Sequence, residues 1–322
     1  MTATRSVWVV ALATVPWLVA CTAPGPRQST DTRPDYEPHR FETISLLGRP
    51  LQAMPPSAKR AELEADLAIA RRELTADPND LDKTIWVGRR LGYLWRMDEA
   101  IEHFSKAIET HPAEARLYRH RGHRYISARR FDDAIADLER AAELIRGKPD
   151  VIEQDGMPND QGIPLTTTGF NVWYHLGLAR YSKGDFAGAF RGFRQAQKFG
   201  RGHDDNLVAT TDWMYMALRR LGRDREAADL LDRIHVDMNI IENHAYHRRL
   251  LMYKGEITPD QLLDVETASD LDLATLGYGL GNWHLYNGDR EKANAIFRRV
   301  TSGPYWSAFG YIAAEAEQAR PR

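Results

Sequence analysis

The sequence predicts an all-α solenoid of stacked two-helix units, and three observations predict it. Small residues recur at one period: Gly88 to Gly122, Ala100 to Ala134 and Ala107 to Ala141 are the same interval apart. Glycine keeps the count further along, with Gly184, Gly222, Gly255 and Gly288 at nearly even spacing. Each period also has the same internal order: a small residue in a first helix, a turn, then Ala, Phe or Leu, and Ala in a second. The interval matches a helix–turn–helix unit, which cannot bury its apolar face alone and stacks on copies of itself.

The first full unit begins near Leu81, with Val87-Gly88 in its first helix and Ala100, Phe104 and Ala107 in its second; Pro112 closes it. The second repeats this with Tyr118, Gly122, Tyr125, Ala134, Leu138 and Ala141, and the third with Trp173, Leu176-Gly177, Gly184, Ala189, Phe193 and Ala196. The last carries Leu280-Gly281, Gly288, Ala293, Phe297 and Val300. The small residue lets the second helix approach closely, and the Phe or Leu fills the groove between ridges. The turn glycine supplies a positive φ. Asp185, Asp224 and Asp289 stand where they can cap the next helix. Thr258-Pro259-Asp260-Gln261 reads as a capping box with Pro at the first helical position.

These residues resemble the tetratricopeptide repeat family over roughly 57–301, and its Trp-x-x-Leu-Gly pattern stands complete at Trp173 to Gly177. The resemblance implies a right-handed solenoid of five to six helical pairs with a binding surface on its inner, concave side. Two positions depart from it: Arg121 where an apolar residue is usual, and Asp260 where a small Ala is usual. Ser57 after Pro55-Pro56 starts a solitary helix to about Ala76. Gly303-Pro304 opens a capping helix over about 304–319, with Trp306, Phe309, Ala313 and Ala316 on one face and Glu315, Glu317 and Arg320 on the other.

The N-terminus differs in character. Arg5, an apolar run from Val7 to Ala20 and then Cys21 describe a secretory signal too short for a membrane span. Leu18-Val19-Ala20-Cys21 resembles the bacterial lipobox. The resemblance implies cleavage of a signal peptide, 1–20, and lipid on Cys21; the absence of Asp after the Cys, where Thr22 stands, implies the outer membrane, facing the periplasm, where the host has one. Cys21 is the only cysteine, so no intramolecular disulfide forms. Residues 21–56 read as the lipidated Cys and a tether, with 41–56 unassigned within it, and 57–322 as the solenoid.

Charge is balanced, 43 Lys+Arg against 45 Asp+Glu, so nothing selects nucleic acid as a general partner. Arg116, Arg119, His120 and His123 share one helical face, and the family's offsets imply that it is the inner one. They suit an anionic group such as an acidic peptide, or else form a solvated charged stripe. An insertion over about 146–168, rich in turn formers, adjoins the stripe and can fold over the groove, with Ile163 and Leu165 as anchors. Asp204-Asp205-Asn206 reads as a cap of the following helix, which carries Asp212 and Trp213. Glu242, His244 and His247 are a weak metal candidate, without the His-Glu-x-x-His spacing. Motifs of catalytic serine, phosphate-cradling loop or cysteine nucleophile are absent. The Lys/Asn clamp of some family members is also missing, its places being Ile85, Arg89, Arg119 and His123.

The sequence thus points to a non-catalytic, membrane-anchored adaptor or assembly factor of the bacterial cell envelope, with no cofactor and no metal. A protein or peptide segment, acidic by the look of the stripe, would meet Arg89, Arg116, Arg119, His120, His123, Asn171, Tyr174, Asp212, Glu242 and Tyr246. The alternative is capture of a small anionic metabolite or glycan fragment under the 146–168 loop. A third reading is metal-assisted hydrolysis at Glu242, His244 and His247.

Overall fold

The computed structural model describes residues 41–320. The predicted signal peptide, Cys21 and the tether as far as residue 40 lie outside the described residues. The architecture is an all-α solenoid of the tetratricopeptide type. A solitary helix, α1 (Ala58–Ala76), precedes the hairpins α2 (Leu81–Tyr93) with α3 (Met97–Thr110), α4 (Ala115–Ser127) with α5 (Phe131–Ile145), and α6 (Thr168–Lys183) with α7 (Phe186–Ala196). There follow α8 (Asp204–Arg220) with α9 (Asp224–Leu230), α10 (His244–Lys254) with α11 (Pro259–Leu262), and a longer pair. In that pair α12 (Asp270–Asp272) runs through a π-helical turn, Leu273–Gly277, into α13 (Tyr278–Tyr286), which packs on α14 (Arg290–Ser302).

One hydrogen bond demonstrates that the hairpins are equivalent. The amides of Arg96, Asp185, Arg223 and Glu256 donate to the carbonyls of Leu91, Arg180, Leu218 and Leu251, and Arg130 and Asp289 do the same with Tyr125 and His284. Each bond closes a first helix through one residue in the left-handed region. Gly184, Gly222, Gly255 and Gly288 fill that position at φ of 97°, 69°, 85° and 94°. In the first two hairpins Trp95 and Arg129 fill it instead, at 60° and 61°.

The repeated small residues do what their spacing predicts. Ala100, Ala134, Ala189 and Ala293 are fully buried, as are Phe104, Leu138, Phe193 and Phe297. A Cβ at Gly177 would stand 2.8 Å from the Phe193 ring, and one at Gly281 2.6 Å from Phe297. Glycine is therefore what lets each ring reach the first helix, and each buried ring contributes roughly 2–3 kcal/mol. The hairpin that carries Asp260 is the exception. Its second helix is the short α11, started by the Thr258–Gln261 capping box with Pro259 at its head.

Both ends correct the sequence reading. Residues 41–56 are not tether: β1 (Phe41–Ile44) and β2 (Pro50–Gln52) form an antiparallel hairpin. Thr43 Oγ1 donates to the Ala128 carbonyl at 3.0 Å. The last helix, α15 (Phe309–Ala319), starts later than predicted because Trp306 is held in the preceding turn. Its indole donates to the Gln52 carbonyl at 2.7 Å and lies edge-on to Trp95. Nor does α15 only cover the final face. It packs on α14 and the π-helical turn, where its Gly310 meets the Ala274 carbonyl, and it also reaches α6. Glu315 and Glu317, expected on an outward side, are buried against Arg129 and Arg220. Among the described residues no helix is long and apolar enough to cross a membrane.

Candidate functional site

Helices α2, α4 and α6 enclose a chamber of mostly buried cationic and imidazole side chains. Helix α4 supplies Arg119, His120, His123 and Arg124; α2 adds Arg89 and Tyr93, and α6 adds His175. Because Tyr118, Gly122 and Tyr125 take the packing positions, the intervening residues of α4 turn inward.

An arginine can only donate hydrogen bonds, and that fixes the histidines. Arg119 Nη1 donates to His120 Nδ1, and Arg124 Nη2 to His123 Nδ1, both at 2.7 Å. Those two rings therefore accept at Nδ1 and are neutral, with the proton on Nε2. His175 is the opposite tautomer, because its Nδ1 bonds the Asn171 carbonyl at 2.6 Å. Burial first, then the neighbouring guanidiniums, holds His120 and His123 well below the usual histidine range. Burial and Arg119 do the same for His175. The positive charge of the chamber therefore rests on arginine.

The insertion folds over this chamber. Ile152 bridges to Thr167, the Glu153 amide donates to the Thr166 carbonyl, and Leu165 is buried while Ile163 stays exposed. Glu153 enters the chamber and pairs with Arg119 at 2.8 Å, each side chain 8% exposed. The pair is incompletely satisfied: Arg119 Nε and Glu153 Oε2 have no hydrogen-bond partner among the described residues. Arg124, equally buried, pairs with no carboxylate among them. Its pKa is pulled down to about 10 by burial, so it stays charged at neutral pH. Arg89 donates to the Tyr93 hydroxyl and lies over the Trp86 ring. Arg119 and Arg89 thus face Glu153 and the half-buried Asp155, with Arg124 beside the two arginines.

The sequence-predicted residues divide accordingly. Arg89, Arg119, His120 and His123 come together in the chamber. Arg116 does not: it pairs with Asp82 at 2.5 Å and Glu114 at 3.0 Å and lines a separate cavity of about 380 Å³ with Lys148 and Val151. Asn171 donates to Thr166 Oγ1 and supports the loop. Tyr174 accepts from the Trp213 indole and donates to the Tyr246 hydroxyl. Asp212 is corrected outright, since it is fully buried in an ion pair with Arg249 and offers nothing to a partner. Glu242 accepts from Asn159 at the loop tip, His247 Nε2 bonds the His235 carbonyl, and no group of three or more His, Cys, Asp or Glu among the described residues is arranged to hold a metal ion.

The acidic run before α8 also differs from its reading. The helix has no side-chain cap at His203. Asp205 instead accepts the amides of Ile241, Glu242 and Asn243, and Asp204 that of Asn239. Asn206 donates to the Leu165 carbonyl and anchors the insertion. Sequence reasoning missed Arg124, His175, Glu153 and Asp155. Arg124 was within reach, following Arg119 on the same helix, whereas nothing local distinguishes Glu153 from the loop's other acids.

No protein-family profile matches the chain, and no curated protein does. Among solved structures the chain is similar to the Pseudomonas aeruginosa pilF protein, at 17% identity over 76% of this chain and 85% of that one, TM-score 0.43. It is similar to a tetratricopeptide repeat protein from Parabacteroides merdae, at 12% identity over 79% and 93%, TM-score 0.44. It is also similar to YrrB, described as a TPR protein with an unusual peptide-binding site, at 15% identity over 72% and 91%, TM-score 0.41.

Proposed function

We propose that this protein is a non-catalytic binding protein, an adaptor or assembly factor of the bacterial cell envelope held to the membrane by lipid on Cys21. In this reading it takes an anionic segment of a partner protein on its inner face. One observation carries it: Arg124 is a buried guanidinium with no carboxylate among the described residues, beside an Arg119 occupied by the chain's own Glu153. A buried charge without a counter-charge is costly, and a partner carboxylate would relieve that cost. The 146–168 loop then acts as an internal stand-in that a partner's acidic segment displaces.

The test is cross-linking and affinity recovery from native membranes, with Arg119→Glu as the control and Cys21→Ala to assess anchoring. A single identified protein, recovered with the parent and lost with Arg119→Glu, supports the adaptor. Equal recovery with both sinks the groove reading, and retention of the Cys21→Ala variant in the membrane fraction sinks the anchor. Closure of the loop over the chamber favours a second reading, a small carboxylate or phosphate ligand held beneath it. Native mass spectrometry of the purified protein decides between the two, since an adaptor carries no co-purifying small anion.

A further inference from the structure

A second basic site lies at the far end of the solenoid, where α8, α13, α14 and α15 converge. A void of about 630 Å³ there is lined by Arg219, Arg220, Arg290, Arg298 and Arg320, with Glu317 as its lining carboxylate. This is the size range of small-ligand pockets. Glu317 is already shared, because both Arg220 and Arg320 pair with it. Arg219 pairs with Asp224 at 2.8 Å and lies over the Tyr286 ring at 4.3 Å, which holds its guanidinium flat. Arg290 and Arg298 form no ion pair among the described residues. Counting Asp224, two carboxylates face five guanidiniums.

The surroundings are built rather than incidental. Arg320 also donates to the carbonyls of Tyr181 and Ser182, which fixes the end of α15 against α6. Phe297 forms an apolar floor, and the Tyr286 hydroxyl is buried with no hydrogen-bond partner among the described residues. Self-repulsion among exposed arginines would spread them apart, unless an anion sits between them. Guanidinium forks match the tetrahedral oxygens of a phosphoryl group, and several forks suit more than one such group.

We propose that this pocket is a binding site for a ligand bearing clustered phosphoryl groups, either a soluble oligophosphate or a phospholipid headgroup. It is distinct from the Arg119 chamber and stands or falls independently of it. The experiment is isothermal titration of the full chain with inorganic pyrophosphate, beside co-sedimentation with phosphatidylcholine vesicles with and without cardiolipin, whose headgroup carries two phosphoryl groups. The variant is Arg290→Ala/Arg298→Ala, whose exposed side chains leave the core untouched; circular dichroism checks its fold.

Saturable pyrophosphate binding that weakens at least ~10-fold in the double variant supports the site with a soluble ligand, the loss following from two charge-assisted contacts. Binding only to the anionic vesicles, with the same dependence on Arg290 and Arg298, supports it with a lipid headgroup. Binding of neither probe overturns the proposal, and so does binding that is unchanged in the double variant. As a second readout, Arg290→Lys/Arg298→Lys keeps the charge but removes the fork. Unaltered affinity in that variant would mean a diffuse field instead of a built site.

Discussion

Arg129, in the turn between α4 and α5, forms an ion pair with Glu315 of α15 at 2.6 Å, the side chains 3% and 0% exposed. The same guanidinium donates to the Trp306 carbonyl, and the Leu46 amide donates to Glu315. Arg129 occupies the left-handed turn position that later hairpins give to glycine. So does Trp95 at the equivalent place one repeat earlier, and its ring packs on Trp306. Non-glycine residues in this conformation are strained by about 1–2 kcal/mol. At both hairpin turns that accept this strain, the side chain clasps the C-terminal segment.

Removing one partner of this clasp should therefore be costly. Glu315→Ala leaves a buried guanidinium uncompensated and should destabilise by about 3–5 kcal/mol. Replacing both partners, as in Arg129→Met/Glu315→Leu, should recover most of that loss. Urea denaturation of the two variants measures it. A double variant no more stable than Glu315→Ala would show that the pair's attraction outweighs its burial cost.

The second prediction concerns the internal carboxylate. Glu153→Gln keeps the loop's shape but removes the charge that occupies Arg119. Binding of a poly-glutamate peptide should tighten by roughly tenfold, the factor that relief of a ~1.4 kcal/mol competing contact gives. Fluorescence anisotropy of a labelled peptide measures this directly. Weaker binding by Glu153→Gln would make Glu153 part of the recognition surface rather than a competitor for it.

The division between what the sequence displays and what it hides follows contact range. Gly88, Ala100 and Phe104 signal their roles because helix packing repeats with the chain, so the spacing itself carries the information. The capping box at Thr258 and the short α11 after Asp260 are equally local. Glu153, Arg129 and Glu315 have no such signature. Glu153 meets its partner on another helix, and Arg129 and Glu315 meet from opposite ends of the solenoid, so each reads locally as an ordinary surface charge. Asp204 and Asp205 show the same limit: an acidic run before a helix is a cap by local rules, yet tertiary structure gives it to the 239–243 segment. The inner face was legible as basic, and the insertion as able to fold over it; that Glu153 of this loop pairs with Arg119, and that Phe309 of the last helix packs against His123 and His175, was not.

Glu42 of β1 yields a prediction about pH. It points at the start of α3, which lacks a side-chain cap, with the amides of Asp98 and Met97 directed to it. Burial pushes its carboxyl up from 4.5 to about 7, against those amides. A raised carboxyl favours folding while protonated. That contribution is complete below pH 4.5 and is lost as pH rises through 7. Over this window the parent should lose at most about 3 kcal/mol relative to Glu42→Gln, less where water reaches the group. Thermal unfolding of both proteins at several pH values tests the sign. A parent that gains stability relative to Glu42→Gln across the window would mean that the two amides outweigh burial.

The glycines of the first helices allow a graded test of the packing argument. Alanine at a helical glycine gains about 1 kcal/mol of intrinsic propensity. Against that, a Cβ at Gly177 meets the rigid Phe193 ring at 2.8 Å, with Gly192 behind it leaving the backbones in close approach. At Gly122 the same Cβ meets Leu138 Cγ, also at 2.8 Å, but an aliphatic side chain can change rotamer. Overpacking costs about 1–3 kcal/mol where nothing yields. Gly177→Ala should therefore destabilise by about 1–2 kcal/mol net, and Gly122→Ala by less than about 1 kcal/mol. Chemical denaturation ranks them. An equal loss at both positions would mean that the helix backbones, rather than the rings between them, set the crossing distance in this solenoid.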